Sequence, residues 1–170
     1  MQDYQNIEHT FGPIYDRNSK ILILGSFPSV KSREMQFYYG HPQNRFWRVL
    51  AFVLNTDVPN TVEEKKQFLL RNHIAVWDVI ASCSIVGSSD TSIRNVIVND
   101  FTDILQNSRI ETIFVNGTKA YDLYCKYAES KTGIKAIKLP STSPANASWS
   151  FEKLCKAWGE QLQGEIGVKH

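Results

Sequence analysis

Amide, hydroxyl and aromatic side chains recur in this sequence just after short apolar runs. Such an inventory suits the recognition of a nucleobase, because aromatic rings stack on its faces while amides and hydroxyls bind the donors and acceptors of its edge. The side chains of this kind, together with one carboxylate, are Ser26, Phe27, Tyr39, His41, Asn44, Asp78, Asn116, Ser141 and Asn146. They can act on one ligand only if the fold brings them together.

Nucleophilic and metal-assisted chemistry finds little support in the sequence. It contains no G-x-S-x-G, P-loop, H-E-x-x-H or G-x-G-x-x-G motif. The four histidines lie far apart, and the three cysteines form neither a C-x-x-C pair nor a zinc pattern. No spacing nominates a base for Ser26, and nothing near Lys119 would activate it as a nucleophile. We expect no metal site and no cofactor.

Residues 38–47 hold the densest group of candidate side chains, with two tyrosines, a glycine, a histidine, a proline and an asparagine. Pro42 is compatible with a first helical turn, which would place Asn44 beside the unpaired N–H groups of a helix N-terminus. The alternative interpretation is an ordinary loop with a capped helix. Helical spacing then continues at Phe46, Trp47, Leu50, Val53 and Leu54.

Apolar runs predict the strands of a parallel sheet. Ile21-Leu22-Ile23-Leu24 shows no alternation, as is typical of a strand covered on both faces. Further strands are expected over residues 74–80, 113–115 and 134–139, and helices over residues 42–55, 61–72, 91–106, 119–130 and 151–163. Strands that alternate with helices predict an α/β fold, a three-layer α/β/α sandwich around a mostly parallel four-stranded sheet. The strand ends at Gly25, Asp78, Asn116 and Leu139 would then meet at one edge.

Two helix predictions depend on particular residues. Thr61, followed by Glu63 and Glu64, predicts an N-terminus with acidic residues in its first turn. The helix over residues 91–106, capped from a loop at residues 87–90, is expected to bury Ile93, Ile97, Phe101, Ile104 and Leu105.

Length and composition indicate one globular domain over residues 1–170, with residues 1–19 as a polar lead-in packed on it. The net charge of +2 permits nucleic-acid binding without arguing for it. The N-terminus lacks the apolar segment of a secretion signal, and no run approaches the roughly 20 apolar residues of a membrane span. We expect a cytoplasmic protein with no membrane partner.

Four motifs in register resemble the uracil-DNA glycosylase superfamily, nearest to the hypoxanthine-DNA (deoxyinosine) glycosylase family and next to the mismatch-specific branch. The resemblance covers residues 11–163, nearly the whole chain, and implies the same three-layer fold. The motifs are Gly25-Ser26-Phe27-Pro28-Ser29, Tyr39-Gly40-His41-Pro42-Gln43-Asn44-Arg45-Phe46-Trp47, Asn116-Gly117-Thr118-Lys119-Ala120-Tyr121 and Leu139-Pro140-Ser141-Thr142-Ser143-Pro144.

Two positions depart from most relatives of that superfamily. Phe27 stands where mismatch-specific members carry the asparagine that positions the attacking water, and Leu139 stands where many carry histidine or asparagine. The resemblance to the hypoxanthine-excising family implies that Asn44 supplies the catalytic amide instead. It also implies base-binding roles for Ser26, Phe27, Tyr39, His41 and Asn116, with Tyr39 and Phe27 as stacking walls and Asn116 as an edge reader.

The matching segment of relatives enters the minor groove of DNA, which implies that residues 140–146 do so here. The expected DNA-binding residues are Ser141, Thr142, Ser143, Pro144 and Asn146. The expected function is a monofunctional DNA glycosylase of base excision repair. Its expected partner is double-stranded DNA containing a deaminated base, hypoxanthine before uracil, and we expect it to act as a monomer.

Several alternatives stay open. The protein could be a G/U mismatch-specific uracil-DNA glycosylase, or, given Phe27 and Leu139, a nucleobase-binding α/β domain without catalysis. Asp78 and Asp90 could be helix caps, partners of Arg94 or general bases. His41 could bind a phosphate or brace its loop.

Overall fold

A computed structural model of the protein describes residues 5–8, 11–85 and 94–166. The strands are β1 (Gln5–Glu8), β2 (Ile21–Gly25), β3 (Ile74–Asp78), β4 (Ile80–Ile85), β5 (Arg94–Val98), β6 (Thr112–Asn116) and β7 (Ala136–Leu139). The helices are α1 (Val30–Met35), α2 (Phe46–Val53), α3 (Val62–Arg71), α4 (Thr102–Gln106), α5 (Thr118–Leu123), α6 (Glu129–Thr132) and α7 (Phe151–Ile166). A π-helical segment, Tyr124–Ala128, joins α5 to α6.

Four parallel strands form the central sheet in the order β3-β2-β6-β7. Every residue of β2 is buried, because side chains cover both faces of the sheet. Ile21 and Ile23 belong to a core shared with α2 and α7, whereas Leu22 and Leu24 belong to a core shared with α5. The predicted three-layer α/β/α sandwich is therefore confirmed.

A second, antiparallel sheet has the order β1-β4-β5 and was not predicted. The helix expected over residues 91–106 is wrong, since residues 94–98 form β5 and, of the described residues 94–106, only Thr102–Gln106 is helical. The β-branched run at 96–98 favours a strand, and its pairing with β4 overrides the helical spacing of the apolar residues. Ile97, expected to be buried, is 63% exposed.

The chain departs from the expected strand at Val79. The strand expected over residues 74–80 is interrupted at Val79, whose N–H donates to the carbonyl of Gly25 and whose carbonyl accepts from Asn99. This turn sends the chain from the central sheet into the second one. Asp90, Ile93 and the loop at residues 87–90 lie outside the described residues.

Helix α2 begins at Phe46, later than the start expected at Pro42, which lies in the preceding turn. The N–H of Asn44 donates to the carbonyl of His41 and closes that turn, so the helix can start only beyond it. Asn44 lies just before the N-cap residue Arg45, and its Oδ1 accepts the N–H of Phe46, the first residue of the helix, at 2.9 Å.

The remaining helices follow local signals in the sequence. Thr61 caps α3 as predicted, and its Oγ1 accepts the N–H of Glu64 at 3.0 Å. Helix α1 was not predicted, although Ser29 caps it in the same manner. None of the helices in the described ranges is long and apolar enough to cross a bilayer.

The carboxyl ends of the parallel strands meet at one edge, as predicted. Gly25 pairs in register with Asp78, and Asn116 pairs with Leu139. The loops that follow these strands therefore surround a common space.

Candidate active site

A cavity of about 500 Å³ opens at this edge of the sheet. The loop after β2, the segment before α2 and the loop after β7 all contribute to its wall. The expected site residues that line it are Ser26, Phe27, Tyr39, His41, Asn44, Asn116, Ser141, Thr142, Ser143 and Pro144, and Asp78 lines it as well. The fold thus collects side chains from four separate motifs.

Asn146 is the one expected site residue that does not line the cavity. Its side-chain Nδ2 donates to the carbonyl of Ser141 at 3.0 Å, and its own N–H donates to the carbonyl of Ser143. Asn146 therefore holds the loop after β7 in shape.

The Asn44 amide has a fixed orientation. Its Oδ1 accepts two hydrogen bonds, from the N–H of Phe46 at 2.9 Å and from the hydroxyl of Thr142 at 2.8 Å. A backbone N–H can only donate, so the amide atom that faces it must be oxygen. Both lone pairs of that oxygen are then occupied, and the group that Asn44 can offer to a ligand is Nδ2–H.

Thr142 links two amides at the cavity. Its hydroxyl donates to Asn44 and accepts from Nδ2 of Asn116 at 3.0 Å, while its N–H donates to Oδ1 of Asn116 at 3.1 Å. The residue is fully buried. Its side chain is therefore part of the framework of the site.

Arg45 fixes the loop after β7, a role that was not predicted from the sequence. Its Nη2 donates to the carbonyls of Ser143 at 2.9 Å and Asn146 at 3.2 Å, and its Nη1 donates to the carbonyl of Trp149. Its backbone N–H also donates to the carbonyl of Thr142 at 3.0 Å. The available signal was an arginine next to Asn44, in a stretch of aromatic residues with no acidic partner.

Tyr39 is held rigidly in the cavity wall. Its ring stacks on Phe46 with a centroid distance of 3.9 Å and an interplanar angle of 15°. Its φ of 52° lies in the left-handed region, which non-glycine residues adopt at a cost that the surrounding structure must offset. One ring face is therefore covered by protein.

Phe27 and His41 occupy different environments. Phe27 is half-buried, and the guanidinium carbon of Arg33 lies 5.8 Å from the centre of its ring. His41 is exposed, and its Nδ1 accepts the N–H of Gln43 at 3.1 Å, which leaves Nε2 as its N–H donor. His41 thus both braces its loop and can offer a donor to a ligand.

Asp78 and Tyr39 meet above Gly25. A Cβ built on Gly25 would lie 2.5 Å from Oδ1 of Asp78 and 3.1 Å from the Tyr39 hydroxyl. Burial raises the pKa of the Tyr39 hydroxyl above its ordinary value, the charge of Asp78 raises it further, and the Asn116 amide partly lowers it. The hydroxyl therefore stays protonated at neutral pH.

A sequence profile described as "Uracil DNA glycosylase superfamily" matches residues 13–162. The chain belongs to this superfamily. Two similar proteins are each named hypoxanthine DNA glycosylase. The one from Methanosarcina acetivorans is 36% identical over 148 residues, 85% of this chain and 91% of its own. The one from Methanosarcina barkeri is 36% identical over 159 residues, 90% of this chain and 96% of its own.

A solved structure supports the same assignment for the fold. It is a solution NMR structure of a protein from Methanosarcina acetivorans that is thought to be a uracil DNA glycosylase. It superposes with a TM-score of 0.73 at 33% identity, covering 88% of this chain and 95% of that one. The predicted family, fold and class of activity are thereby confirmed: the protein is a DNA glycosylase, a hydrolase of N-glycosyl bonds.

Metal-binding clusters and lysines are absent from the described part of the site. Among residues 5–8, 11–85 and 94–166, no group of three His, Cys, Asp or Glu side chains is placed to hold a metal ion. No lysine belongs to the described lining of the cavity. What the cavity offers is amides, hydroxyls, one carboxylate and aromatic rings.

Proposed function

We propose that this glycosylase is monofunctional and removes deaminated bases from double-stranded DNA, with hypoxanthine as its preferred substrate. The observation that carries the proposal is the fixed amide of Asn44 at a cavity of about 500 Å³. That volume lies within the range of pockets that hold a small organic ligand. The relatives named hypoxanthine DNA glycosylase support the choice of base.

Hydrolysis of an N-glycosyl bond passes through an oxocarbenium-like sugar, so the bond to the base is largely broken before water attacks. A weak nucleophile suffices if it is well placed. The Nδ2–H of Asn44 can donate to one lone pair of a water molecule and leave the other directed at C1′ of the sugar. In this proposal Asn44 positions the water and removes no proton from it.

The departing base carries negative charge that the site must stabilise. We assign this role to the backbone N–H groups of residues 25–29 and to the Asn116 amide. Asn116 donates one of its two amide hydrogens to Thr142 and retains the other for the base edge. Phe27 forms the stacking wall, and Tyr39, one face of which is covered by Phe46, meets the base with its hydroxyl edge and not as the second wall expected from the sequence. Ser26 and His41 complete the base-binding set.

The loop after β7 is assigned to the minor groove. Ser141, Ser143 and Pro144 are half-buried, and they can approach DNA while Thr142 and Asn146 hold the loop in shape from within. These side chains are small for a wedge that replaces a flipped nucleotide. The enzyme therefore favours lesions that pair weakly, because these are less costly to flip.

The absence of a lysine from the described cavity lining supports a monofunctional enzyme, since strand cleavage through a Schiff base needs an amine nucleophile. The product is then an intact strand with an abasic site. That the protein acts as a monomer in the cytoplasm stays a prediction, and light scattering of the purified protein tests the first part.

The decisive experiment uses purified protein and duplexes with one hypoxanthine, uracil or xanthine, with and without subsequent hot alkali. We expect strand breaks at hypoxanthine, and we expect them only in the samples treated with alkali. Breaks without alkali would contradict the monofunctional assignment. Cleavage confined to uracil would favour the alternative of a G/U mismatch-specific uracil-DNA glycosylase. Binding of lesion DNA without cleavage would indicate the non-catalytic alternative.

Asn44→Ala tests the catalytic assignment in the same assay, and we expect it to abolish detectable excision while the protein remains folded. Gln43→Ala, an exposed neighbour in the same turn, is the matched control and is expected to retain the rate. Full excision by Asn44→Ala would refute the role of this amide.

A further inference from the structure

Two polar atoms share the space that the missing side chain of Gly25 leaves open. Gly25 ends β2 and pairs in register with Asp78 at the end of β3. A Cβ at this position would lie 2.5 Å from Oδ1 of Asp78 and 3.1 Å from the hydroxyl of Tyr39. Both residues line the cavity. A carboxylate and a phenol thus lie side by side in the wall of the cavity.

The Tyr39 hydroxyl is prepared to donate to a ligand. It is buried and makes no hydrogen bond of standard geometry to the described residues, although its ring is fixed against Phe46. A buried polar group in this state is costly and calls for an explanation such as a missing ligand. Its raised pKa keeps the proton in place, so the group can act as a donor.

Asp78 supplies a hydrogen-bond acceptor beside this donor. The residue is only 4% exposed, and an ionised carboxylate can only accept hydrogen bonds. The sequence left its role open between a cap, a partner of Arg94 and a general base. Its carbonyl accepts Nδ2–H of Asn99 at 2.8 Å, which anchors the backbone, and Oδ1 of its carboxylate lies above Gly25.

We propose that Asp78 and Tyr39 together select deaminated bases by their lactam edge, Asp78 accepting the ring N–H and the Tyr39 hydroxyl donating to the adjacent carbonyl oxygen. The inference rests on the proposed function and names the residues that would set its substrate class.

Deamination creates the edge that this pair would recognise. In adenine and cytosine an exocyclic amino group stands beside a bare ring nitrogen, a donor next to an acceptor. Deamination converts these into a carbonyl and a ring N–H, which reverses the pattern. Hypoxanthine and uracil therefore match the acceptor and donor of the pair, whereas the bare N1 of adenine would face the carboxylate. Guanine and thymine share the lactam edge. They are excluded because flipping a well-paired base out of the duplex costs more free energy.

The test compares duplexes that contain hypoxanthine or unsubstituted purine, which lacks both the carbonyl and the N1 proton. Single-turnover excision is measured for the native protein, Asp78→Asn and Tyr39→Phe. We expect each substitution to lower the ratio of hypoxanthine to purine excision about tenfold or more, because a buried specific hydrogen bond is lost. Asp78→Asn should in addition raise purine excision, since an amide can donate to the bare N1. Asp57→Asn and Tyr127→Phe, at sites away from the cavity, are matched controls and should keep the native ratio.

The outcomes separate the inference from the proposed function. If the native protein excises neither hypoxanthine nor uracil, the proposed function fails. If the native protein excises hypoxanthine and both variants keep the native ratio, only the inference is overturned. Should Asp78→Asn fail to fold, Tyr39→Phe decides alone, because it removes a single oxygen that makes no hydrogen bond of standard geometry to the described residues.

Discussion

The hydroxyl of Thr142 donates a hydrogen bond of 2.8 Å to Oδ1 of Asn44, joining the loop after β7 to the N-terminus of α2. The same hydroxyl accepts from Nδ2 of Asn116 at 3.0 Å. One buried threonine therefore sets the orientation of both amides at the cavity. The catalytic amide proposed for this glycosylase is held by a residue 98 positions further along the chain.

Thr142→Val should lower the excision rate with little change in fold. Valine fills the same space but leaves the Asn116 amide without its acceptor and Asn44 without its donor, at a cost of about 1–3 kcal/mol in the free energy of unfolding. We expect the single-turnover rate to fall about tenfold or more. Thr142→Ser retains the hydroxyl and should restore most of the rate. Equal rates for the valine and native proteins would show that the bridge has no part in positioning Asn44.

Arg45→Lys should loosen the loop after β7. The guanidinium donates to the carbonyls of Ser143, Asn146 and Trp149, and one ammonium group cannot reproduce that fork. The expected loss is about 2–4 kcal/mol in the free energy of unfolding, from denaturant titration.

A local readout distinguishes this effect from general destabilisation. Amide hydrogen exchange should rise over residues 141–149, and affinity for DNA with an abasic-site analogue should fall. Arg48→Lys is the matched control, because Arg48 is exposed and its Nη2 makes a marginal contact of 3.5 Å to the carbonyl of Gln43. Unchanged exchange over the loop in Arg45→Lys would contradict the prediction.

Gly25→Ala should impair excision by displacing the two groups above it. The added methyl would lie 2.5 Å from Oδ1 of Asp78, well inside van der Waals contact, so the carboxylate must move. Misplacement of this size can lower the rate on the order of 100-fold. Gly164→Ala is the control, since a Cβ there meets nothing within 4 Å, and it should leave the excision rate unchanged. A native rate for Gly25→Ala would argue against a functional role for this space.

Tyr39→Phe should reduce the alkaline sensitivity of the fold. Burial and the charge of Asp78 raise the pKa of Tyr39 above its ordinary value of 10.0. Above about pH 10 the unfolded chain therefore loses this proton while the folded protein keeps it, and the free energy of unfolding falls as the pH rises. Phenylalanine does not ionise in either state, so denaturant titrations at about pH 9, 10 and 11 should show a shallower decline. An equal decline in both proteins would contradict the buried environment of this hydroxyl.

Local patterns predicted the central sheet correctly, and they predicted that polar side chains would gather at one edge of it. The unbroken apolar run of β2 requires cover on both faces of the sheet. Thr61, together with Glu63 and Glu64, starts α3 through local interactions that do not depend on the rest of the fold. The strand ends then had to meet at one edge, which brought Asn44 and Asn116 to one cavity in the prediction and in the structure. The helical interpretation of residues 91–106 failed because pairing with β4 is not visible in local spacing.

The sequence by itself determined the layered fold, the family and the amides at the strand ends, because periodicity and short motifs are local properties of the chain. Only the tertiary structure decided which hydrogen-bond donors and acceptors those groups present to a ligand. It occupied both lone pairs of Asn44 Oδ1, made Arg45 the clamp of a loop about 100 residues away, and set Asp78 beside Tyr39 above Gly25. Except for the bond from the Phe46 N–H to Asn44, these relationships join residues distant in sequence, and their distances and hydrogen bonds exist only once the strands have packed.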